Sequence, residues 1–159
     1  MNQPTATGND NPQRNVSLVI VRALRPHQWV KNSLLIAPLI LAHQPASQQN
    51  LLQLLFAFIA FSGVASAMYL VNDIIDLQSD RSNPNKRSRP IAAGQLSVSH
   101  ALLVAITLST ASVAVALLTL STSFAVALLL YLLASGCYSL WFKRIAIVDV
   151  LLLASLYTA

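Results

Sequence analysis

Apolar residues fill this chain in blocks too long for a soluble helix, and short polar segments separate the blocks. Between Lys31 and Asp73 there is no Asp, Glu, Lys or Arg, and a second charge-free stretch covers residues 90–142. About 20 helical residues cross a hydrocarbon layer of about 30 Å, so each stretch must turn back once. The first is broken by His43-Gln44-Pro45-Ala46-Ser47-Gln48-Gln49-Asn50, whose proline and amides predict a turn. The second is broken by Leu120-Ser121-Thr122-Ser123. Spans are therefore predicted at 51–71, 97–119 and 124–141, after a first span that ends at residue 42. The start of that first span is ambiguous, because Arg22, Arg25 and Lys31 interrupt residues 16–32 and only 33–42 is cleanly apolar. It is expected to enter from the interface near Pro26 with its cationic side chains snorkelling outward. A fifth apolar run, 145–159, carries Asp149 and has no polar flank, so the chain is expected to end inside a helix. Residues 1–15 are polar and lack the apolar core of a signal peptide, which predicts a disordered cytoplasmic tail. Residues 16–159 then form one all-α transmembrane helical bundle, with four spans and a truncated fifth, incomplete at its carboxyl end.

Composition agrees with this pattern and narrows the function. Of 159 residues, 55% are hydrophobic and 9% are charged, where an ordinary soluble domain has about a quarter charged. The single cysteine, Cys137, excludes an internal disulfide. A net charge of +5 suggests nucleic acid at first sight, but the basic residues cluster beside apolar blocks and do not spread over a solvated face. They report orientation instead. Arg14, Arg22, Arg25 and Lys31 precede the first span, Arg81, Lys86, Arg87 and Arg89 lie between the second and third, and Lys143 and Arg144 follow the fourth. These are all 10 Lys and Arg residues, and they fall on one side of the predicted spans. The positive-inside rule makes that side cytoplasmic.

Candidate chemistry sits at the end of the second span. The chain has no glutamate, and three of its aspartates lie within Asn72-Asp73-Ile74-Ile75-Asp76-Leu77-Gln78-Ser79-Asp80. If the helix continues through this window, Asp73, Asp76 and Asp80 fall within about 60° of one another on one face. Bare carboxylates so placed would repel; around a hard divalent cation they make sense, and Mg²⁺ favours a few carboxylates completed by water and phosphate oxygens. The competing reading is a solvated helix end. Against it, the acids begin where the apolar span finishes, and an interfacial acid is costly enough to suggest a use. Asp80, nearest the loop, is expected to matter least. Arg81, Lys86, Arg87 and Arg89 follow directly. Alone they fit anionic lipid headgroups; beside an aspartate-metal site they supply cationic donors to a diphosphate, with arginine able to grip it bidentately.

The run Asn72-Asp73-x-x-Asp76-x-x-x-Asp80-Arg81, followed by Lys86, Arg89-Pro90-Ile91 and Gly94, resembles the first aspartate-rich motif and following loop of the UbiA superfamily of intramembrane prenyltransferases. Arg25-Pro26-His27-Gln28-Trp29-Val30-Lys31-Asn32, with Tyr138-Ser139 and Lys143-Arg144, extends the likeness over nearly everything after about residue 20. The opening motif is most similar to the decaprenyl-phosphate phosphoribosyltransferase branch. The resemblance implies a bundle of nine transmembrane helices in a bacterial plasma membrane, a cytoplasmic catalytic cavity, and a second aspartate-rich motif in the latter half. This chain, with at most five helices, then corresponds to the amino-terminal half. Carried over, Asp73, Asp76 and Asp80 hold Mg²⁺ against a diphosphate as the catalytic residues. Asn72, Lys86 and Arg89 contact substrate, and Arg25 and Lys31 serve the second phosphate-bearing substrate, with snorkelling as their competing account. The implied reaction is phosphoribosyl transfer from phosphoribosyl diphosphate to a polyprenyl phosphate, in cell wall biogenesis. Its alternative is prenyl transfer from a polyprenyl diphosphate to an aromatic acceptor such as 4-hydroxybenzoate.

The remaining polar and aromatic residues read as structural. Trp29, Tyr69, Tyr138 and Trp141 fit interfacial aromatic belts, the three histidines form no metal pattern, and Cys137 fits a small core position. Ser62 with Ser66, and Gly63 with Ala67, should allow close helix packing. Asp149, in the fifth run, is an intramembrane candidate or a partner of Lys143 or Arg144. Two non-enzyme classes compete. A half-bundle scaffold is favoured by the missing second aspartate cluster, and a transporter would want charges at mid-span, where these spans have none.

Overall fold

The computed structural model describes residues 16–36 and 47–141, as a run of helices with no strand among them. Helix α1 (Val16–Leu24) is followed by a 3₁₀ segment (Pro26–Ile36), the long helix α2 (Gln48–Ile75), the short helix α3 (Leu77–Ser82), and helices α4 (Val98–Thr119) and α5 (Thr122–Leu140). Three of them, α2, α4 and α5, are long and apolar enough to cross a membrane. The expected tail at 1–15, the first turn at 43–46, Lys143, Arg144 and the fifth run with Asp149 lie outside the described residues.

Local sequence explains the boundaries. Serine caps each long helix: Ser47, Ser97 and Ser121 accept from the backbone N–H groups of Asn50, His100 and Phe124. The predicted spans at 51–71, 97–119 and 124–141 therefore appear nearly in place, α2 starting earlier because Ser47 caps it and running on to Ile75 before the turn at Asp76. The first span differs. A separate helix runs from Val16 to Leu24, where it stops because the residue before a proline is disfavoured in the right-handed helical region. The segment expected to enter near Pro26 does start there, but as 3₁₀ turns, and its residues 37–42 lie outside the described residues. Arg25 instead takes φ 52°, and the chain continues as 3₁₀ turns over eleven residues, well beyond the usual three or four.

Helix α2 is the centre of the assembly. It packs chiefly against α4 and also meets α5, the 3₁₀ segment and α1. From Ser62 to Met68 every residue is buried, so this part of the helix is enclosed on all sides. One apolar cluster joins Ala23, Ala67, Leu70, Ile91, Leu96, Ala101 and Ala105, tying α1 and the 83–97 loop to the carboxyl end of α2. A second joins Ala60, Val64, Ala116, Ala125 and Leu128 further back along α2.

Small residues permit the close approach of α2 and α4. A Cβ added at Gly63 would overlap Ser112 Oγ, with Ser112 Cβ at 3.4 Å and Leu108 Cδ1 at 3.6 Å behind it. Gly63→Ala is therefore expected to destabilise the bundle by about 1–3 kcal/mol, the usual cost of overpacking. Ser112→Ala should relieve most of this, because it removes the overlapping oxygen. Thermal unfolding of the two single variants and the double variant in detergent measures the relief; a double variant no better than Gly63→Ala would place the close contact elsewhere.

Candidate functional site

The carboxyl end of α2 meets Arg25 on one side and the 83–97 loop on the other. Helix α2 ends at Ile75, Asp76 forms a one-residue turn (φ −87°, ψ 5°), and α3 begins at Leu77. Helical hydrogen bonding crosses the break, from Asp76 N to Asn72 O and from Asp80 N to Asp76 O. Asp73 and Asp80 thus face the same interior although the helix is not continuous. Asp76, between them, and Asn72, just before Asp73, are half-buried.

Two arginines and two aspartates form a single chain of ion pairs. Arg25 Nη2 donates to Asp73 Oδ1 at 2.6 Å, and Arg89 Nη1 donates both to that oxygen at 3.1 Å and to Asp80 Oδ2 at 2.6 Å. The aspartate side chains are 3% and 1% exposed, and the arginine side chains, at 19% and 26%, are only half-buried. The other two oxygens, Asp73 Oδ2 and Asp80 Oδ1, are buried without a hydrogen-bond partner. Asp73 also stands in the last turn of α2, where carboxylates are disfavoured by roughly 0.3–1 kcal/mol and cations favoured. The acids therefore stand where folding alone would not put them, and the arginines are their local counterweight.

The loop that presents Arg89 is well bonded. Successive turns run from Lys86 N to Asn83 O and from Arg89 N to Lys86 O, and both Gln95 N and Leu96 N donate to Pro90 O. Gly94 takes φ 73°, a backbone state that suits glycine, and Ile91 and Leu96 are buried as anchors. Asp80, expected to be the least consequential acid for its nearness to a loose loop, is instead the most buried of the three.

Arg25, Arg89, Asp73 and Asp80 are thus brought together, with Asp76 and Asn72 adjacent. Lys86 and Lys31 are exposed on the surface. Arg25 is turned inward against Asp73 and over the Tyr69 ring, 5.3 Å from its centroid, and does not snorkel outward. Trp29, Ser62, Ser66 and Tyr69 also exceed the belt and packing roles expected of them. Trp29 Nε1 donates to Ser66 Oγ and Asn32 Nδ2 donates to Ser62 Oγ, each at 2.9 Å. The signal available in sequence was the spacing Ser62, Ser66, Tyr69, Asp73, a polar stripe on one face of an otherwise apolar helix.

Among the described residues, no three His, Cys, Asp or Glu side chains gather as a ready ligand set for a metal. The donor chemistry still suits a hard divalent cation: two buried carboxylate oxygens have unused lone pairs, and such a cation readily takes its remaining ligands from water and phosphate.

The fold and this site define an integral-membrane helical protein with an acid and arginine centre at one end of its central span. The chain belongs to the UbiA prenyltransferase family, whose model matches residues 33–159. It is similar to decaprenyl-phosphate phosphoribosyltransferase of Corynebacterium glutamicum, 37% identical with 91% of this chain and 44% of that protein covered. The protein of the same name from Mycobacterium tuberculosis is also 37% identical, over 92% of this chain and 49% of its own length. A nodulation protein, NoeC of Azorhizobium caulinodans, is 44% identical over 47% of this chain and 24% of its own. The chain spans less than half the length of each of these relatives.

Proposed function

We propose that the full-length protein is an intramembrane transferase that takes phosphoribosyl diphosphate as donor and a polyprenyl phosphate as acceptor. The observation that carries this reading is the ion chain Arg25, Asp73, Arg89, Asp80 at the end of a membrane-length helix, with both carboxylates buried and two of their oxygens left unpartnered. The named activity of the relatives supports the choice of donor. In the reaction, the bond from ribose C1 to the diphosphate oxygen breaks, a phosphate oxygen of the lipid forms the new bond to C1, and diphosphate leaves. No side-chain nucleophile is required.

Asp73, Asp76 and Asp80 are the proposed catalytic residues and the ligands of Mg²⁺, which when bound would stabilise charge on the departing diphosphate. Arg25 and Arg89 each have five N–H donors and use only part of them on the aspartates, so other N–H groups remain for phosphate oxygens. Asn72 adds an amide and Lys86, on the loop before Arg89, adds cationic charge; Lys31, level with Ser62 and Ser66 further back along α2, is the proposed cation for the second substrate. Two phosphate-bearing substrates need this many cations; an aromatic acid needs one carboxylate partner.

The test supplies the full-length enzyme in membranes with labelled phosphoribosyl diphosphate and polyprenyl phosphate, and separately with prenyl diphosphate and 4-hydroxybenzoate. Product is expected in the first assay. Product only in the second would establish prenyl transfer to an aromatic acceptor, and none in either would favour a scaffold.

The proposed location is the bacterial inner membrane with the site on its cytoplasmic side. The ion pairs of Arg25 and Arg89 with Asp73 bring the first two basic clusters of the sequence together at one end of α2, which supports this side assignment. A cysteine at Asn85 should therefore resist an impermeant thiol reagent applied to intact cells, and one at Gln48 should react. The reverse pattern would invert the topology and remove the site from the cytoplasm.

A further inference from the structure

Beyond the ion pairs, the stretch from Leu24 to Asn32 is fastened to α2 by a second set of bonds. Ser66 Oγ donates to the Leu24 carbonyl and accepts the indole N–H of Trp29, both at 2.9 Å. One turn back along α2, Ser62 Oγ accepts from Asn32 Nδ2. The two elements are commensurate. Side chains three apart eclipse in a 3₁₀ helix and, at about 2.0 Å rise per residue, repeat every ~6 Å. Side chains four apart on an α-helix lie on one face and, at about 1.5 Å rise, also repeat every ~6 Å. Trp29 and Asn32 thus meet Ser66 and Ser62 rung for rung in antiparallel order. An α-helical segment would advance only about 4.5 Å between the two donors and lose one rung.

The same face of α2 continues to the acid centre. Ser62, Ser66, Tyr69 and Asp73 fall within about 60° of one another, and Tyr69 and Asp73 both engage the Arg25 guanidinium. Ser66 holds chain on both sides of Arg25: Leu24 before it and Trp29 after it. Arg25 is itself the one non-glycine residue with positive φ among the described residues. An arginine side chain is long and rotamer-rich, so where its head points depends on how firmly its backbone is held.

We infer that Ser66 and Trp29 are positioning residues for Arg25: their bonds fix the kink that delivers its guanidinium to the acid centre, and so set the affinity for a diphosphate. This rests on the diphosphate reading above. The probe is inorganic diphosphate with Mg²⁺, titrated calorimetrically into purified full-length protein, so neither acceptor nor branch need be known. Ser66→Ala and Trp29→Phe should each weaken binding by about tenfold, the size of one or two hydrogen bonds. Asn32→Ala, one rung further away, should weaken it by about twofold or less, since it acts on the kink only at a distance. In an Arg25→Ala background, Ser66→Ala should add nothing, because the residue through which it acts is gone. A loss at Ser66 that is the same with and without Arg25, or no loss at all, overturns the proposal while the diphosphate reading stands. A wild-type protein that binds no diphosphate refutes that reading and this proposal together.

Discussion

Arg89→Ala in the full-length protein is expected to cost about 3 kcal/mol of stability and to abolish measurable diphosphate binding. One nitrogen, Nη1, serves both Asp73 Oδ1 and Asp80 Oδ2, so a single truncation strips charge compensation from two buried carboxylates. Asp73 keeps Arg25; Asp80, at 1% exposure, loses its ion pair. Removing one partner of a buried pair typically costs about 3–5 kcal/mol, and the lower end applies here because Arg89 is 26% exposed and water can follow it in. Arg89→Lys should recover only part of the loss, since an ammonium on a shorter, flexible stem does not reproduce the planar fork. Adding Asp80→Asn to Arg89→Ala separates the two effects. It neutralises the stranded acid, so thermal unfolding in detergent should recover about half of the lost stability, in line with the cost of an unpaired buried charge. Diphosphate binding should not recover. An Arg89→Ala protein that melts like wild type would mean the ion chain does not hold the end of α2.

Much of this arrangement was legible in the sequence, and the part that was not has a physical reason. The blocks of charge-free residues located α2, α4 and α5 because a membrane span is a local property: length and hydropathy suffice. Ser47 and Ser121, read only as parts of polar turns, instead cap a backbone N–H three residues on and start α2 and α5 earlier than the apolar blocks do. The spacing of Asp73 and Asp80 told their shared face, and the bonds across the break at Asp76 preserved it. The partners were hidden. Arg25 is 48 residues from Asp73 and Trp29 is 37 from Ser66, and no periodicity in one segment names its partner in another. Ser62 and Ser66 looked like packing residues because a small hydroxyl serves equally for close approach and for hydrogen bonding. The 3₁₀ segment was unreadable for a related cause. Residues 26–36 were expected to enter an ordinary α-helical span, and the two rungs that suit 3₁₀ spacing, Trp29 to Ser66 and Asn32 to Ser62, lie on another element. That Asp80 is buried beside its loop was hidden for the same reason, since Ile91 and Leu96, which hold that loop against the bundle, act from another segment.

Asp73→Asn should show the opposite division of effects: little change in stability and a loss of at least about 100-fold in Mg²⁺-dependent diphosphate affinity, the upper end of what loss of even an outer metal partner costs. The asparagine carbonyl is nearly isosteric with the carboxylate and can still accept from Arg25 and Arg89. Those arginine side chains are 19% and 26% exposed, so water can reach them when the acid is neutralised. What is lost is the second oxygen. Asp73 Oδ2 is buried and unpartnered, and in asparagine an NH₂ group, which donates and cannot ligate a cation, can occupy its place. Asp80→Asn should act alike, because Oδ1 of Asp80 is in the same state. Asp80 therefore ranks with Asp73 for the full-length protein, despite its place beside the loop. Titrating inorganic diphosphate with Mg²⁺ present and with Mg²⁺ chelated distinguishes the causes. In wild type, chelation should reduce affinity about as far as Asp73→Asn does; in the variant, chelation should reduce it little further, since both changes remove the same link between protein and phosphate. Equal Mg²⁺ dependence in the variant and the wild type would exclude Asp73 as a metal ligand and leave the two arginines as the phosphate-binding groups of this site.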